Sequence, residues 1–153
     1  MALPDRFFFY GTLMAGSGNP VASQLHARLH PLGRATVPGA LFAILDPQGW
    51  YPALLPGEGL VHGTLHAAAA DFAEADLAAI DAFEDFAPGN PAASLYCRVA
   101  LPVSLASGEV SEAQVYCYNR ALPEGALAIP GGDFAAFAKS HALPVFGVED
   151  EAR

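Results

Sequence analysis

Glu84 is the side chain in this sequence whose surroundings best suit acid–base chemistry. It lies at the end of a predicted helix, in the stretch Ile80-Asp81-Ala82-Phe83-Glu84-Asp85-Phe86. The aromatic neighbours Phe83 and Phe86 favour partial burial of its carboxyl group. Burial raises the pKa of a carboxyl and makes it a better base near neutral pH. From spacing alone, the commoner arrangement is a solvated carboxylate in the last turn of a surface helix.

Two pairs of histidines are each spaced four residues apart, and each pair is a candidate for metal binding. His26 and His30 lie four residues apart on one face of a predicted helix, and His62 and His66 are four apart in a predicted strand. The strand pair is separated by ~13 Å and cannot share one ion. The helical pair has no third ligand in its pattern, so His26 and His30 are interpreted as surface residues. No metal site is expected.

Phosphate-binding and hydrolase motifs are also missing from the sequence. Gly11 to Gly18 resembles a phosphate-binding loop, but Ser17 stands where the loop requires lysine. The sequence contains no G-x-S-x-G, H-E-x-x-H or C-x-x-C pattern. We therefore expect no metal or cofactor in the chemistry of this chain.

Phe7-Phe8-Phe9-Tyr10 predicts a strand with both faces buried, at the centre of the fold. Gly11 follows at once, and glycine allows backbone conformations and close approaches that other residues resist. Thr12 and Leu13 continue this loop, which runs to Asn19. Its N–H groups are free to bind a ligand, although a plain turn is the alternative.

The remaining elements indicate an α+β domain. Helices are predicted over Pro20–Leu29, Asp71–Phe86 and Phe134–His141. The second is predicted to be capped by Asp71, with Glu74 three residues further on, and the third by Asp133. Strands are predicted over Ala35–Leu45 with a bend or bulge at Pro38-Gly39, and over Trp50–Leu55, Leu60–Ala67, Leu95–Ser104 and Glu112–Tyr118. Turns are predicted at 46–49 and 56–59. We expect a small mixed or antiparallel β-barrel with flanking helices, one domain over residues 1–153 with an acidic tail after about 148.

Charge and hydropathy exclude several classes of partner. The formal net charge is −9, from 16 acidic and 7 basic residues, which disfavours nucleic acid and anionic membranes. No apolar run reaches the ~20 residues of a membrane span, and no signal peptide is evident, so a cytoplasmic location is expected. Cys97 and Cys117 have no metal or disulfide spacing, and both are expected to be reduced and buried.

An ordered set of short motifs resembles the gamma-glutamylcyclotransferase-like family, in its Tyr-Gly-Thr-Leu branch. The matching pieces, in order, are Tyr10-Gly11-Thr12-Leu13, Pro52-Ala53-Leu54, Val61-His62-Gly63, Ile80-Asp81-Ala82-Phe83-Glu84, Tyr96-Cys97-Arg98 and Gly132-Asp133-Phe134. The resemblance spans Phe7 to about Phe134. It implies a small barrel and a pocket beside the Tyr10–Leu13 loop, with Glu84 as the catalytic acid/base. Two positions depart from the family: Asp85 stands where Gly is frequent, and His66 where Tyr is common.

The resemblance implies cyclisation of a γ-glutamyl amine or peptide to 5-oxoproline, with release of the amine. Substrate-binding residues are then expected to be Tyr10, Gly11, Thr12, Leu13, Tyr96, Arg98 and Tyr118. At least one tyrosine among Tyr96, Tyr116 and Tyr118 should line the pocket, although packing alone is an equal alternative for aromatics in a small barrel. Two other functions stay open, a binding module that holds a small acidic ligand without turnover and a partner-binding protein with a vestigial pocket. The sequence defines neither the leaving amine nor the oligomeric state.

Overall fold

Five strands close into a barrel in the computed structural model, which describes residues 3–11 and 20–145. The strands are β1 (Arg6–Phe9), β2 (Leu29–Asp46), β3 (Gly49–Ala68), β4 (Tyr96–Leu105) and β5 (Val110–Tyr118). Their order is β3-β1-β5-β4-β2, and β2 pairs again with β3 to complete the circle. The β1–β5 pairing is parallel and the other pairings are antiparallel. The predicted α+β fold with a small mixed barrel is therefore confirmed.

The aromatic run of β1 lies at the centre of the packing, as its sequence predicts. Phe8 is buried inside the barrel, in a cluster with Leu65 and Val115. Phe7 and Phe9 are buried on the other face, in a second cluster that includes Ile80 of a helix. Because the side chains of a strand alternate between its faces, two clusters on opposite sides bury the whole run.

The β2–β3 hairpin is longer and more continuous than the sequence predicts. The turn at residues 46–49 is confirmed, and the predicted bulge appears as a register shift between Pro38 and Ala40. The predicted turn at 56–59 is wrong, because those residues belong to β3. They lie opposite the bulge, since Leu55 pairs with Ala40 and Leu60 pairs with Pro38. Pairing on both sides of these residues keeps the chain extended despite its Pro and Gly content.

Three helices flank the barrel: α1 (Pro20–His26), α2 (Glu74–Phe83) and α3 (Phe134–Ser140). A 3₁₀ turn occupies Pro91–Ala93, and a two-residue strand, β6 (Leu127–Ala128), adds to β2. The predicted first helix was too long, because β2 begins at Leu29. His30 therefore lies in a strand and does not share a helical face with His26. Within the described residues, no helix is both long enough and apolar enough to cross a membrane.

The helix ends show which side chains act as caps. Asp133 caps α3 as predicted, its Oδ1 accepting the Ala136 N–H at 3.0 Å. At α2 the predicted cap was wrong: Ala73 is the N-cap residue, and Asp76 Oδ2 accepts the Ala73 N–H at 2.8 Å. Asp71 instead forms an ion pair with Arg28 at 3.0 Å. Cys97 and Cys117 face each other across β4 and β5 as free thiols, each only half-buried where full burial was predicted.

Candidate active site

A cavity of about 210 Å³ lies beside Glu84. Its lining comes from every strand of the barrel and from the end of α2. The residues that matter most below are Tyr10 and Gly11 after β1, Tyr51 and Pro52 of β3, Glu84 and Asp85 after α2, Tyr96 of β4 and Tyr116 of β5. The structure thus brings Glu84 to one cavity with the Tyr10–Gly11 end of the opening motif, although these residues are far apart in sequence.

Glu84 follows the last residue of α2, and its backbone N–H still bonds the Ile80 carbonyl at 3.1 Å. The residue is partly buried, and its side chain lines the cavity. Burial, followed by the negative charge of Asp81, raises the pKa of the Glu84 carboxyl from 4.5 to about 8. A carboxyl with that pKa is divided between its charged and neutral forms near neutral pH, so it can both accept and donate a proton.

The chain leaves α2 through a Schellman motif that fixes the backbone on both sides of Glu84. The Phe86 N–H bonds the Asp81 carbonyl at 2.9 Å, and the Asp85 N–H bonds the Ala82 carbonyl at 3.1 Å. Asp85 occupies the left-handed position of this motif, with φ +54°. Glycine is the usual residue there, and aspartate is among the residues that tolerate the conformation best. This geometry explains why Asp85 can stand where glycine is frequent.

Tyrosine hydroxyls join the strands around the cavity. The Tyr10 hydroxyl donates to the Tyr116 carbonyl, and the Tyr96 hydroxyl donates to the Pro52 carbonyl. Burial is the main cause that raises the pKa of both Tyr10 and Tyr96 well above 10, so both stay protonated. Gly11 lies against Pro52, since a Cβ at this position would approach the Pro52 Cγ to 2.6 Å. A glycine is therefore required for this close approach.

Arg98 and Tyr118, also predicted to bind substrate, are not among the residues that line the cavity. The Arg98 guanidinium bonds Asp81, with Nε 3.0 Å from Oδ1. Tyr118 packs edge-on against Tyr96, with ring centroids 5.7 Å apart, and hydrogen-bonds Tyr51. Thr12 and Leu13 lie outside the described residues. Substrate contacts by all these residues remain predictions.

Asp46, Tyr51 and Asp81 were not singled out from the sequence. Asp46 and Tyr51 line the cavity from the turn end of the β2–β3 hairpin, and no local sequence signal places that end beside Glu84. Asp81 is visible in the sequence only as a member of the Ile80–Glu84 motif, without a role. Tyr116, considered with Tyr96 and Tyr118 as a pocket candidate, lines the cavity together with Tyr96.

His66, the second departure from the family pattern, lies completely buried on the outer side of β3. Its Nε2 is 3.0 Å from Thr64 Oγ1, and its ring centroid is 4.6 Å from that of His26. Burial, and then the charge of His26, lowers the pKa of His66 to about 4. In the part of the chain that the structure describes, no group of three or more His, Cys, Asp or Glu side chains is arranged to hold a metal.

The fold is thus a closed mixed barrel, and its cavity is lined by a partly buried glutamate together with Tyr10 and Gly11. The family model described as gamma-glutamyl cyclotransferase, AIG2-like, matches residues 7–136. The chain belongs to this family.

Solved structures show the same fold at low sequence identity. An AIG2-like protein from Mus musculus is 23% identical, with a TM-score of 0.59, covering 99% of this chain and 92% of the mouse chain. An Arabidopsis thaliana protein is 24% identical with a TM-score of 0.59, covering 93% and 86% of the two chains. A gamma-glutamyl cyclotransferase is 13% identical with a TM-score of 0.58, covering 99% and 93%. Comparison with curated proteins gives no match.

Proposed function

We propose that this protein cyclises a γ-glutamyl amine or peptide to 5-oxoproline and releases the amine, with Glu84 as general acid and base. The observation that carries the proposal is the Glu84 carboxyl, which lines the cavity and whose pKa is raised to about 8. A free α-amino group has a pKa of roughly 8. Proton exchange between the substrate ammonium and Glu84 therefore costs little free energy in either direction.

The bond changes and proton transfers need only groups that the substrate and Glu84 supply. Ionised Glu84 takes a proton from the α-ammonium, and the amine nitrogen then bonds to the γ-carbonyl carbon. The bond from that carbon to the leaving nitrogen breaks as protonated Glu84 returns a proton to that nitrogen. Ionised Glu84 then takes a second proton from the ring nitrogen and passes it to the released amine. The leaving nitrogen thus gains the two protons that the attacking nitrogen loses, and the reaction has no net proton change. Ring closure is intramolecular, so holding the substrate folded supplies much of the rate.

The reaction also needs hydrogen-bond donors for the negative charges of the oxyanion and the substrate carboxylate. Backbone N–H groups of the loop that begins at Gly11 are the proposed partners of the developing oxyanion and the substrate carboxylate. The hydroxyls of Tyr10 and Tyr96 already donate hydrogen bonds to backbone carbonyls of the barrel. We therefore assign them to cavity shape and to contact with the substrate's apolar stem.

Turnover of a panel of γ-glutamyl amines and dipeptides tests the proposal, with 5-oxoproline and the free amine both quantified. The wild type should form the two products in equal amounts. Glu84→Gln should lose roughly 10²- to 10⁴-fold in kcat, because glutamine keeps the size but exchanges no proton. Glu74→Gln, on the exposed first turn of the same helix, is the matched control and should behave as wild type.

Two results would contradict the enzymatic proposal. Full activity in Glu84→Gln would remove the residue from the chemistry. No turnover of any γ-glutamyl compound, together with ligand-induced thermal stabilisation, would favour the binding module that holds a small acidic ligand. A small-molecule partner and a cytoplasmic location remain predictions.

A further inference from the structure

One carboxylate, that of Asp81, ties α2 to two strands of the barrel. Its side chain is buried, with 6% of its surface exposed. It accepts hydrogen bonds from Arg98 of β4, with Nε at 3.0 Å and Nη2 at 3.4 Å, and from the Tyr116 hydroxyl of β5. Arg98 Nη1 continues the network to Gln114 Oε1 at 3.2 Å. The last turn of α2 is thereby held against the β4–β5 hairpin.

The same residue also holds the backbone that carries Glu84. The Asp81 carbonyl accepts the Phe86 N–H and closes the Schellman motif in which Glu84 is the C-cap residue. The Asp81 side chain therefore fixes the helix to the barrel wall, while its carbonyl fixes the exit of the chain. Glu84 lies between these two attachments, so its position in the cavity depends on both.

Arg98 is held in place by the same network. Its guanidinium bonds Asp81 and Gln114, and its Cζ lies 5.5 Å from the centroid of the Phe86 ring. It is not among the residues that line the cavity. We propose that Asp81 and Arg98 are positioning residues for Glu84, and that Arg98 acts through Asp81 instead of contacting the substrate. This inference rests on the proposed acid–base role of Glu84.

The charge of Asp81 gives the proposal a measurable signature. It is the second cause, after burial, of the raised pKa of Glu84. Asp81→Asn keeps the shape and a hydrogen-bond acceptor for Arg98 but removes this charge. The other titratable groups that face the cavity with Glu84 stay in place; they are Tyr10, Asp46, Tyr51, Asp85, Tyr96 and Tyr116. The pH–rate midpoint of Asp81→Asn should therefore fall below that of the wild type.

Three variants, each first checked for folding by thermal melting, test the network: Asp81→Asn, Arg98→Gln and the double variant. Arg98→Gln leaves a buried carboxylate unpaired, so kcat should fall about 10-fold or more while KM changes less than about threefold. The double variant removes both charges and should lose less activity than the product of the two single losses. A substrate-binding Arg98 would instead raise KM, and the two losses would multiply. That outcome overturns the proposal.

The carboxyl titration of Glu84, followed by ¹³C NMR without substrate, separates this inference from the proposed function. The Glu84 midpoint should fall in Asp81→Asn and in the double variant, whether or not any γ-glutamyl compound is turned over. If Asp81→Asn does not fold, the Glu84 titration midpoint is measured in the double variant, which has no unpaired buried charge. A Glu84 midpoint equal to that of the wild type in the folded variant would overturn the inference, even where cyclisation is established.

Discussion

Replacing Glu84 by glutamine should stabilise the folded protein, and the gain should grow as the pH rises from 4.5 to 8. The Glu84 carboxyl has a pKa of about 8 in the folded protein, against a reference value of 4.5. Below pH 4.5 the group is protonated in both states and contributes no difference. Between pH 4.5 and 8 the unfolded chain loses the proton that the folded protein keeps, so stability falls as pH rises. Above pH 8 the loss is complete.

The size of the effect follows from the displacement of the pKa. At 1.36 kcal/mol for each pH unit, the upper limit is roughly 5 kcal/mol. Water in the cavity screens part of the charge, so we expect about 2–4 kcal/mol at pH 9 and under about 1 kcal/mol at pH 5. For a chain of this size, that gain raises the Tm by roughly 4–16 °C at pH 9.

Urea unfolding of wild type and Glu84→Gln at pH 5, 7 and 9 measures this difference directly. Glu74→Gln, an exposed substitution of the same kind on α2, should follow the wild type at each pH. Equal stability of wild type and Glu84→Gln at pH 9 would mean that the carboxyl is freely solvated. The acid–base role would then lose its physical basis, because an unperturbed carboxyl is a poor base.

Three further predictions concern other parts of the molecule. Because the pKa of His66 is lowered to about 4, the folded protein should lose stability as the pH falls from 6.5 to 4. Thermal melts of His66→Gln should not show this loss of stability at acid pH. Ala142 has φ +53°, so Ala142→Gly should stabilise the protein by about 1 kcal/mol, whereas Ala79→Gly in the exposed interior of α2 should destabilise it by a similar amount. Asp46 and Asp85 line the cavity, and no Lys or Arg is among the described lining residues. The γ-glutamyl amide of 1,5-diaminopentane should therefore react with a kcat/KM about 10-fold above that of the 5-aminopentanoate amide, and Asp85→Asn should narrow this ratio.

The barrel and its central strand could be predicted because their signals are local. Four consecutive aromatic residues require burial on both faces, and the Asp46–Gly49 and Pro38-Gly39 features are encoded by turn and bulge residues. The position of Glu84 at a helix end is likewise visible in the sequence. The features that could not be predicted depend on strand pairing and register, because the type of a residue does not specify the strand with which it pairs.

Arg98 illustrates the difference. Its spacing from Tyr96 places both on one face of β4, which suggests a shared pocket role. The structure shows that Tyr96 lines the cavity while Arg98 pairs with Asp81 of α2. The prediction of a turn at residues 56–59 was wrong for a similar reason. Pro and Gly predict a turn locally, but pairing with β2 on both sides keeps these residues extended.

Because β1 pairs in parallel with β5, we expect the cavity to form late in folding. Phe8 pairs with Val115 on one side and with Leu65 on the other, so β1 is held by segments that are distant along the chain. Contacts of such long sequence separation form slowly, because the entropy of loop closure opposes them. The β2–β3 and β4–β5 hairpins can form without β1, but Tyr10 and Gly11 reach the cavity only once β1 is inserted. Binding of a cavity ligand during refolding would therefore report insertion of β1, and it should lag behind the appearance of β-sheet signal.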